Sequence, residues 1–214
     1  KMSNAIVINK ISDLTFETIL GRCVATEAGY VNDPKDSGGE TNHGVTKATA
    51  GDFAADLKRL YNWDGTMRNL SQEMALYVFR KGWWERLACD DLLKISPLLA
   101  DRVFDFGINA GRAASALALQ QSVNALNRQG KDYPDVTEDS KLGAGGETIR
   151  AIQALVAKRG NAGVGSLLTL VIGENSHFYV SISRSKPKNE EFMNGWSTRV
   201  FEATNLYHQL IGRK

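Results

Sequence analysis

Residues 16–46 of this 214-residue chain read FETILGRCVATEAGYVNDPKDSGGETNHGVT. Apolar side chains recur at three- and four-residue spacing in the first part of this stretch, which predicts an amphipathic helix. One further turn along the same face lies Glu27, whose charged carboxylate is costly to bury unless the site uses it. A polar loop or small hairpin follows, and it carries Asp33, Asp36 and Glu40 among turn residues. The stretch therefore predicts a helix that delivers one acid to the edge of a loop holding other acids.

The acids of this stretch have unlike surroundings, as glycoside hydrolysis requires. Glu27 follows an apolar helix face and lies near a helix C-terminus, and both features favour a raised carboxyl pKa. Asp33 and Asp36 lie in a Gly-rich loop, where solvent favours their ionised forms. The residues alone leave a second interpretation open, with Glu27 as a solvated helix-end residue and the loop as ordinary turn chemistry. The loop lacks the ligand series of an EF-hand, so calcium binding is not expected.

A longer pattern in the same stretch resembles a known family signature. The string TEAGYVNDPKDSGGETNHGVT is similar to that of glycoside hydrolase family 108, the phage-endolysin muramidases. Their signature runs E-G-G-Y-x-x-D-x-x-D-x-G-G-x-T-x-x-G-I-T. This chain departs from it in Ala28, where the family has Gly, and in Val45, where the family has Ile. Because Ala28 has a side chain, the backbone directly after the matched Glu can adopt fewer φ/ψ conformations than with Gly.

The resemblance implies catalytic roles for three residues. Glu27 matches the family's catalytic Glu, and the order Glu27, Asp36, Thr41 is similar to the Glu, Asp, Thr constellation of phage-type lysozymes. Glu27 is then the general acid, Asp36 the second carboxylate and Thr41 the hydroxyl that positions water. Asp33 stays open as an alternative second carboxylate. Retaining and inverting mechanisms both stay open, because they differ in the separation of the two carboxyl groups.

Four further residues are expected to contact substrate. Tyr30, Asn42 and His43 lie within the matched stretch, although an exposed loop residue is the alternative interpretation of His43. Asn109 lies in FDFGINAG, residues 104–111, which resembles the F-x-F-N-x-G helix that lines the cleft of phage-type lysozymes. A helix-terminus residue without a substrate role is the alternative for Asn109.

The rest of the chain is a series of amphipathic helices. Ser96 and Pro97 predict the start of a mostly apolar, central helix, because Ser is favoured at the N-cap and Pro at the first helical position. Further helices are predicted over 48–61, 147–158, 166–183 and 195–210.

The expected fold is α+β, predominantly helical and lysozyme-like, with a small loop or hairpin lobe and a helical lobe. The expected domains are a catalytic muramidase segment, residues 14–91, and a helical peptidoglycan-binding segment, residues 92–214. Because no linker separates these segments, the second is expected to complete one lysozyme-like fold.

Composition fits a globular protein and excludes several function classes. Hydrophobic residues make up 43% and charged residues 23% of the chain. The formal net charge of +2 favours an anionic partner such as the cell wall, but it is not that of a nucleic-acid-binding protein. The cysteines and histidines form no metal-ligand pattern, and no metal or cofactor is expected. Cys23, on the apolar helix face, is expected to be a buried thiol.

The resemblance to glycoside hydrolase family 108 implies an endolysin that hydrolyses the β-1,4 bond between N-acetylmuramic acid and N-acetylglucosamine in peptidoglycan. Such an enzyme lyses the bacterial host at the end of a phage cycle. The N-terminal residues contain no apolar run long enough for a signal peptide or a membrane anchor. We therefore expect a monomer that is made in the host cytoplasm, depends on a holin-type partner for release and acts in the periplasm or cell wall.

Three alternatives remain open from the sequence. A lytic transglycosylase cleaves the same bond but leaves an anhydro-sugar instead of a reducing end. An interbacterial muramidase toxin shares the chemistry and differs in its biological setting. A non-catalytic cell-wall-binding module would bind peptidoglycan without degrading it, and the presence of Glu27, Asp36 and Thr41 argues against it.

Overall fold

A computed structural model describes residues 8–24, 29–32 and 39–212 of the chain. This part of the chain is mostly helical and contains one small antiparallel sheet. The prediction of an α+β, predominantly helical fold is confirmed. The chain forms two compact units: the first unit contains Phe16–Trp84, and the second contains Ile8–Thr15 with Glu85–Lys214.

The first unit holds four α-helices and the hairpin among its described residues. In chain order they are α1 (Phe16–Cys23), β1 (Thr41–Asn42), β2 (Val45–Thr46), α2 (Lys47–Asp52), α3 (Ala54–Tyr61) and α4 (Gln72–Phe79). A 3-10 turn at Met67–Asn69 precedes α4, and a π-helical turn at Arg80–Trp84 follows it.

Helix α1 buries the face that its apolar spacing predicts. Phe16, Ile19, Leu20 and Cys23 are all buried, and Cys23 is a buried thiol as expected. The Phe16 ring meets the fully buried Trp84 edge to face, with ring centroids 5.1 Å apart. This packing fixes α1 in the core of the first unit.

Helices α2 and α3 replace the single helix that the pattern over 48–61 predicts. The break falls at Phe53, whose backbone leaves the helical region at φ −106° and ψ 7°. The Phe53 ring packs edge to face on Tyr77, at 6.4 Å between centroids. Thr46 caps α2, its hydroxyl accepting a hydrogen bond from the Thr49 amide at 3.2 Å, so the second strand runs directly into the helix.

The described part of the second unit contains five α-helices. They are α5 (Cys89–Ile95), α6 (Pro97–Ala110), α7 (Arg112–Ala125), α8 (Glu147–Ser185) and α9 (Glu190–Gly212). Short 3-10 turns lie at Ile11–Asp13, Glu85–Leu87 and Pro187–Asn189.

Helix α6 is the centre of the second unit, as predicted. All of its residues from Leu98 to Gly107 are buried, and it packs against α5, α7 and α8. It begins at Pro97, as predicted, although the Ser96 side chain makes no capping hydrogen bond. The helix ends where Gly111 takes a φ of 93°, in the region that favours glycine.

Helix α8 joins two helices that the sequence predicts separately. The pattern indicates helices over 147–158 and 166–183, and both exist. A single residue, Gly160, interrupts the helical backbone at φ 55° and ψ −143°. Because glycine reaches positive φ without a steric penalty, this one residue makes the bend between the two predicted helices.

None of the helices in the described part of the chain is long and apolar enough to cross a membrane.

Candidate active site

The structure describes the residues on either side of the predicted catalytic acids in the sequence, but not these acids themselves. Glu27, Asp33 and Asp36 lie outside the described residues. Val24 and Thr41 are described, and they lie close in sequence to these acids. The surroundings of the candidate site are therefore built from the end of α1 and from the hairpin.

The end of α1 rests against the turn of the hairpin. The Val24 amide donates to the Leu20 carbonyl at 2.9 Å, which continues the helical pattern. A Cβ atom on Gly44 would lie only 2.1 Å from Val24 Cγ1, so no side chain fits between them. This contact holds the end of α1, three residues before Glu27, beside the β1–β2 turn.

Thr41 lies at the centre of this small sheet. Its amide donates to the Val31 carbonyl at 2.8 Å, and the Val31 amide donates back to the Thr41 carbonyl at 2.9 Å. Thr41 also pairs with Thr46 across the hairpin. Within the described part of the chain its half-buried hydroxyl makes no hydrogen bond, so it can bind a water molecule. The backbone of a predicted catalytic residue is thus fixed on both sides.

His43 and Gly44 form the turn between the strands. Both have positive φ, 48° for His43 and 79° for Gly44. Positive φ at both central residues is the arrangement of a type I′ turn, whose twist matches that of hairpin strands. The half-buried His43 is therefore carried on a tight turn. Its contact with substrate stays a prediction.

Asn42 lies in the interior, with 4% of its surface exposed. Its amide nitrogen donates to the carbonyl oxygens of Met67, at 2.7 Å, and Leu70, at 3.1 Å. Its amide oxygen is buried and accepts no hydrogen bond in the described structure. These bonds tie the hairpin to the 3-10 turn at Met67–Asn69, so the observed contacts of this predicted substrate residue support the fold of the site.

Tyr30 belongs to a charged group on the first unit that we call the Tyr30 cluster, made of Tyr30, Glu40, Lys47 and Arg68. The Tyr30 hydroxyl donates to Glu40 Oε1 at 2.8 Å, and Lys47 Nζ donates to Glu40 Oε2 at 2.9 Å. The Arg68 guanidinium carbon lies 4.0 Å from the centroid of the Tyr30 ring. Lys47 first, then Tyr30, hold the pKa of Glu40 below its usual value, and the charge of Arg68 acts in the same direction.

Asn109 lies on α6, one residue before the helix ends, and is exposed. Its amide nitrogen donates to the Asp105 carbonyl at 2.7 Å, one turn back along the same helix. Both interpretations of Asn109 fit this position. The hydrogen bond holds the side chain against its own helix, and the exposed surface leaves it able to meet a ligand.

Helix α6 also carries charged residues that the sequence reasoning missed. We call Asp101, Arg102, Asp105 and Arg199 the α6 cluster. Arg102 is fully buried and pairs with Asp105, and Arg199 Nη1 from α9 lies 2.6 Å from Asp105 Oδ1. The Tyr207 hydroxyl donates to Asp101. The sequence did contain a signal for this cluster, because Arg102 and Asp105 have opposite charges and lie three residues apart, on one face of an otherwise apolar helix.

The buried Arg102 remains charged because of its acidic neighbours. Burial by itself lowers the pKa of the guanidinium, but the charges of Asp105, Tyr207 and Asp101 outweigh burial and raise it above its ordinary value. Two of its nitrogens, Nε and Nη1, are buried and make no hydrogen bond to any residue that the structure describes. The neighbouring Tyr179 is also buried, and this burial raises the pKa of its phenol to about 12. The α6 cluster is thus a charged group inside an apolar core.

Comparison with known families identifies the chain. The family model for glycosyl hydrolase 108 matches residues 20–111, and a model described as a predicted peptidoglycan domain matches residues 115–201. Residues 20–111 therefore form a glycoside hydrolase family 108 segment. The chain is a peptidoglycan glycoside hydrolase, a muramidase, and peptidoglycan is its substrate.

The family 108 match begins in α1 and ends just after α6, so it includes the hairpin and Asn109. It also crosses from the first unit into the second, because the first unit ends at Trp84. SagA from Brucella abortus has a similar structure, with a TM-score of 0.60 at 24% sequence identity over 88% of this chain and 90% of SagA. This likeness concerns the fold, which is lysozyme-like as predicted. No curated protein sequence matches the chain.

Proposed function

We propose that this muramidase is a phage endolysin that hydrolyses the β-1,4 bond between N-acetylmuramic acid and N-acetylglucosamine. In this proposal Glu27 is the general acid, Asp36 the second carboxylate, and Thr41 positions the attacking water. The observation that carries the proposal is the family 108 match over residues 20–111, which contains these three residues in the order of the signature.

Local structure supports a role for the hairpin in this reaction. Thr41 has its backbone held by Val31 and a hydroxyl that makes no hydrogen bond within the described residues. Val24 packs on Gly44, so the chain leading to Glu27 starts from a fixed point. General acid–base catalysis depends on such positioning, because small displacements of the reacting groups slow the reaction strongly.

Replacing Glu27 by Gln tests the central role. The amide keeps the shape of the side chain but cannot donate the proton that the leaving oxygen needs. Lysis of purified peptidoglycan should slow by about 100-fold or more, the scale of general acid catalysis, while the melting temperature stays unchanged. A folded Glu27→Gln variant with normal activity would overturn the assignment.

The roles of Asp36 and Asp33 are distinguished by comparing their two Asn variants. Asp36→Asn should reduce activity nearly as much as Glu27→Gln, and Thr41→Ala somewhat less. Asp33→Asn should lower stability more than rate, because Asp33 is proposed to shape the turn. If Asp33→Asn abolishes activity at an unchanged melting temperature while Asp36→Asn stays active, the two roles are exchanged.

Product analysis distinguishes hydrolysis from transglycosylation. Mass spectrometry of the released fragments should find reducing ends, because the proposed mechanism uses water as the acceptor. Anhydro-sugar ends would instead identify a lytic transglycosylase. The biological role is tested separately: production in host cells should cause lysis only together with a holin-type partner, since the proposal places the enzyme in the cytoplasm, as a monomer, before release.

We further propose that residues 92–214 complete the catalytic fold and are not a free-standing binder. The support is that the family 108 match runs through α5 and α6, beyond Trp84, where the first unit ends. A fragment of residues 14–93 should therefore show little hydrolysis of soluble wall fragments, and circular dichroism should show incomplete folding. A folded, active fragment would show two separable domains.

A further inference from the structure

We propose that Arg68, held on the ring of Tyr30, is a binding site for a carboxylate of the peptide stems attached to muramic acid. The inference rests on the proposed function for its substrate, and it adds a contact that neither the sequence pattern nor the family match assigns. Its basis is the arrangement of the Tyr30 cluster beside the hairpin.

The first observation is that Arg68 is fixed in place. Its guanidinium carbon lies 4.0 Å from the centroid of the Tyr30 ring, within the range of a cation–π interaction. The ring is itself fixed, because the Tyr30 hydroxyl donates to Glu40 at 2.8 Å. Asn42 holds the backbone on either side of Arg68 through the carbonyl groups of Met67 and Leu70. An immobilised guanidinium loses little entropy when it binds a ligand.

The second observation is that Arg68 has no carboxylate partner within the described residues. The acid of the cluster, Glu40, is already bound by Lys47 and by Tyr30. Two cations, Lys47 and Arg68, therefore surround one carboxylate, and the cluster has an excess positive charge. The guanidinium lies over the Tyr30 ring, its N–H groups donate no hydrogen bond to any described residue, and Arg68 is exposed, so these groups can bind a ligand oxygen.

The third observation is the location of the cluster. Glu40 directly precedes Thr41, and Tyr30 directly precedes Val31, which pairs with Thr41. The cluster therefore adjoins the residue that we propose to position water. In peptidoglycan, each peptide stem branches from the sugar next to the scissile bond and carries free carboxylates. A planar guanidinium binds a carboxylate through two parallel hydrogen bonds, which suits Arg68 to this group.

The test compares two forms of one substrate. Soluble glycan strands with free-carboxylate stems are compared with the same strands whose stem carboxylates have been amidated. For the wild type, kcat/KM should be higher on the carboxylate form. In Arg68→Gln the ratio of kcat/KM for the two forms should fall about tenfold, mainly through KM, as expected for the loss of one charge-assisted contact.

Matched variants separate charge from stability. Arg59→Gln removes another exposed arginine of the first unit, which pairs with Asp56 at 2.6 Å, and should leave the ratio unchanged. Arg68→Lys keeps the charge but not the two-pronged geometry and should lose part of the ratio. Tyr30→Leu removes the stacking ring and should also lower it. Melting temperatures confirm that each variant is folded.

Direct binding keeps the inference independent of hydrolysis. Titration calorimetry of a soluble disaccharide-peptide, with free or amidated carboxylates, should show weaker binding of the amidated form by the wild type and no such difference for Arg68→Gln. Equal binding of both forms by the wild type overturns the Arg68 site even when hydrolysis is normal. If the carboxylate preference is present but the enzyme hydrolyses neither substrate, the proposed reaction fails and the Arg68 site stands.

Discussion

The Tyr30 cluster and the α6 cluster both combine carboxylates with basic side chains, but the first faces solvent and the second lies mostly in the core. In the first, Lys47 and Arg68 are exposed, and the side chain of Glu40 is 21% exposed. In the second, Arg102 is fully buried, and Asp101 and Asp105 are buried with it. Exposed ion pairs add little to stability because water screens them, whereas a buried charge that loses its partner is very costly.

The difference assigns separate tasks to the two clusters. Charges that water can reach are available to an anionic ligand and contribute little to folding, so the Tyr30 cluster is suited to substrate. Charges in the core of the second unit connect α6 to α9 through Asp105 and Arg199, which are 94 residues apart in the chain. The α6 cluster is therefore expected to control stability, and variants of each cluster should affect different measurements.

The largest effect is expected when the α6 cluster loses its central charge. Arg102→Met leaves the buried carboxylates of Asp101 and Asp105 without their shared cation. The free energy of unfolding should fall by about 3–5 kcal/mol, measured by urea denaturation. The control Arg59→Met removes an arginine from an exposed pair and should change stability little. A fully stable Arg102→Met protein would show that the buried charges are not coupled to the fold.

A smaller loss is expected when a side chain is forced between α1 and the hairpin. Gly44→Ala combines a left-handed backbone, φ 79°, with a Cβ atom 2.1 Å from Val24 Cγ1. Stability should fall by about 1–3 kcal/mol, and activity should fall with it because the turn beside Thr41 must move.

Gly65→Ala is the matched control for this experiment. Gly65 also has a positive φ, 86°, but a Cβ atom added there would lie within 4 Å of no atom in the described part of the chain. Gly65→Ala should therefore show the cost of a left-handed backbone at alanine, without the steric overlap that Gly44→Ala makes with Val24. If Gly44→Ala and Gly65→Ala destabilise the protein equally, the contact between Val24 and the turn contributes nothing. Relief of the Gly44→Ala defect by Val24→Ala would locate the overlap directly.

The smallest effect concerns an acid that combines features of both clusters. The Asp132 side chain is 1% exposed, yet it pairs with Arg128, Lys158 and Arg159, of which the side chains of Arg128 and Lys158 are 64% and 46% exposed. The hydrogen bond from Arg128 is the largest of the contributions that hold the pKa of Asp132 well below its usual range. A lowered pKa stabilises the folded protein above the unfolded value, about 3.9, and this contribution is lost as the pH falls.

Asp132→Asn should therefore lower the melting temperature at neutral pH, and the gap to the wild type should narrow in acid. Thermal melts at pH 7 and at pH values below the unfolded pKa measure this change. A constant gap at all pH values would show that the amide loses packing or hydrogen bonds unrelated to charge. The size of this change shows whether the charge of Asp132 contributes more to stability than an exposed ion pair and less than the buried pairs of the α6 cluster.

Local patterns were enough to predict much of the fold. The apolar spacing from Phe16 to Cys23 predicts the buried face of α1, and Pro97 marks the start of α6. Both depend on interactions within about one helical turn, which the order of residues specifies directly. The family to which the stretch around Glu27 is similar could also be recognised, because its acids and glycines follow a long signature, and the family 108 match covers it.

Other features depend on contacts between residues far apart in the chain. No local pattern shows that Phe53 packs on Tyr77 and divides one predicted helix into two. Gly160 is visible in the sequence, but the pattern does not show that it alone bends α8. Nor does it show that Asn42 turns inward to bind two carbonyl groups.

The sequence by itself determined the helical class, the hairpin stretch and the family 108 segment, because these follow from periodicity and from a motif of neighbouring residues. Only the tertiary structure decided which charges are buried and which face solvent. Arg102 and Arg68 are the same residue type, yet one is paired inside the core and the other lies on the ring of Tyr30. The energy of a charged side chain depends on the local dielectric and on its charged and hydrogen-bonding partners, and distant parts of the chain supply both.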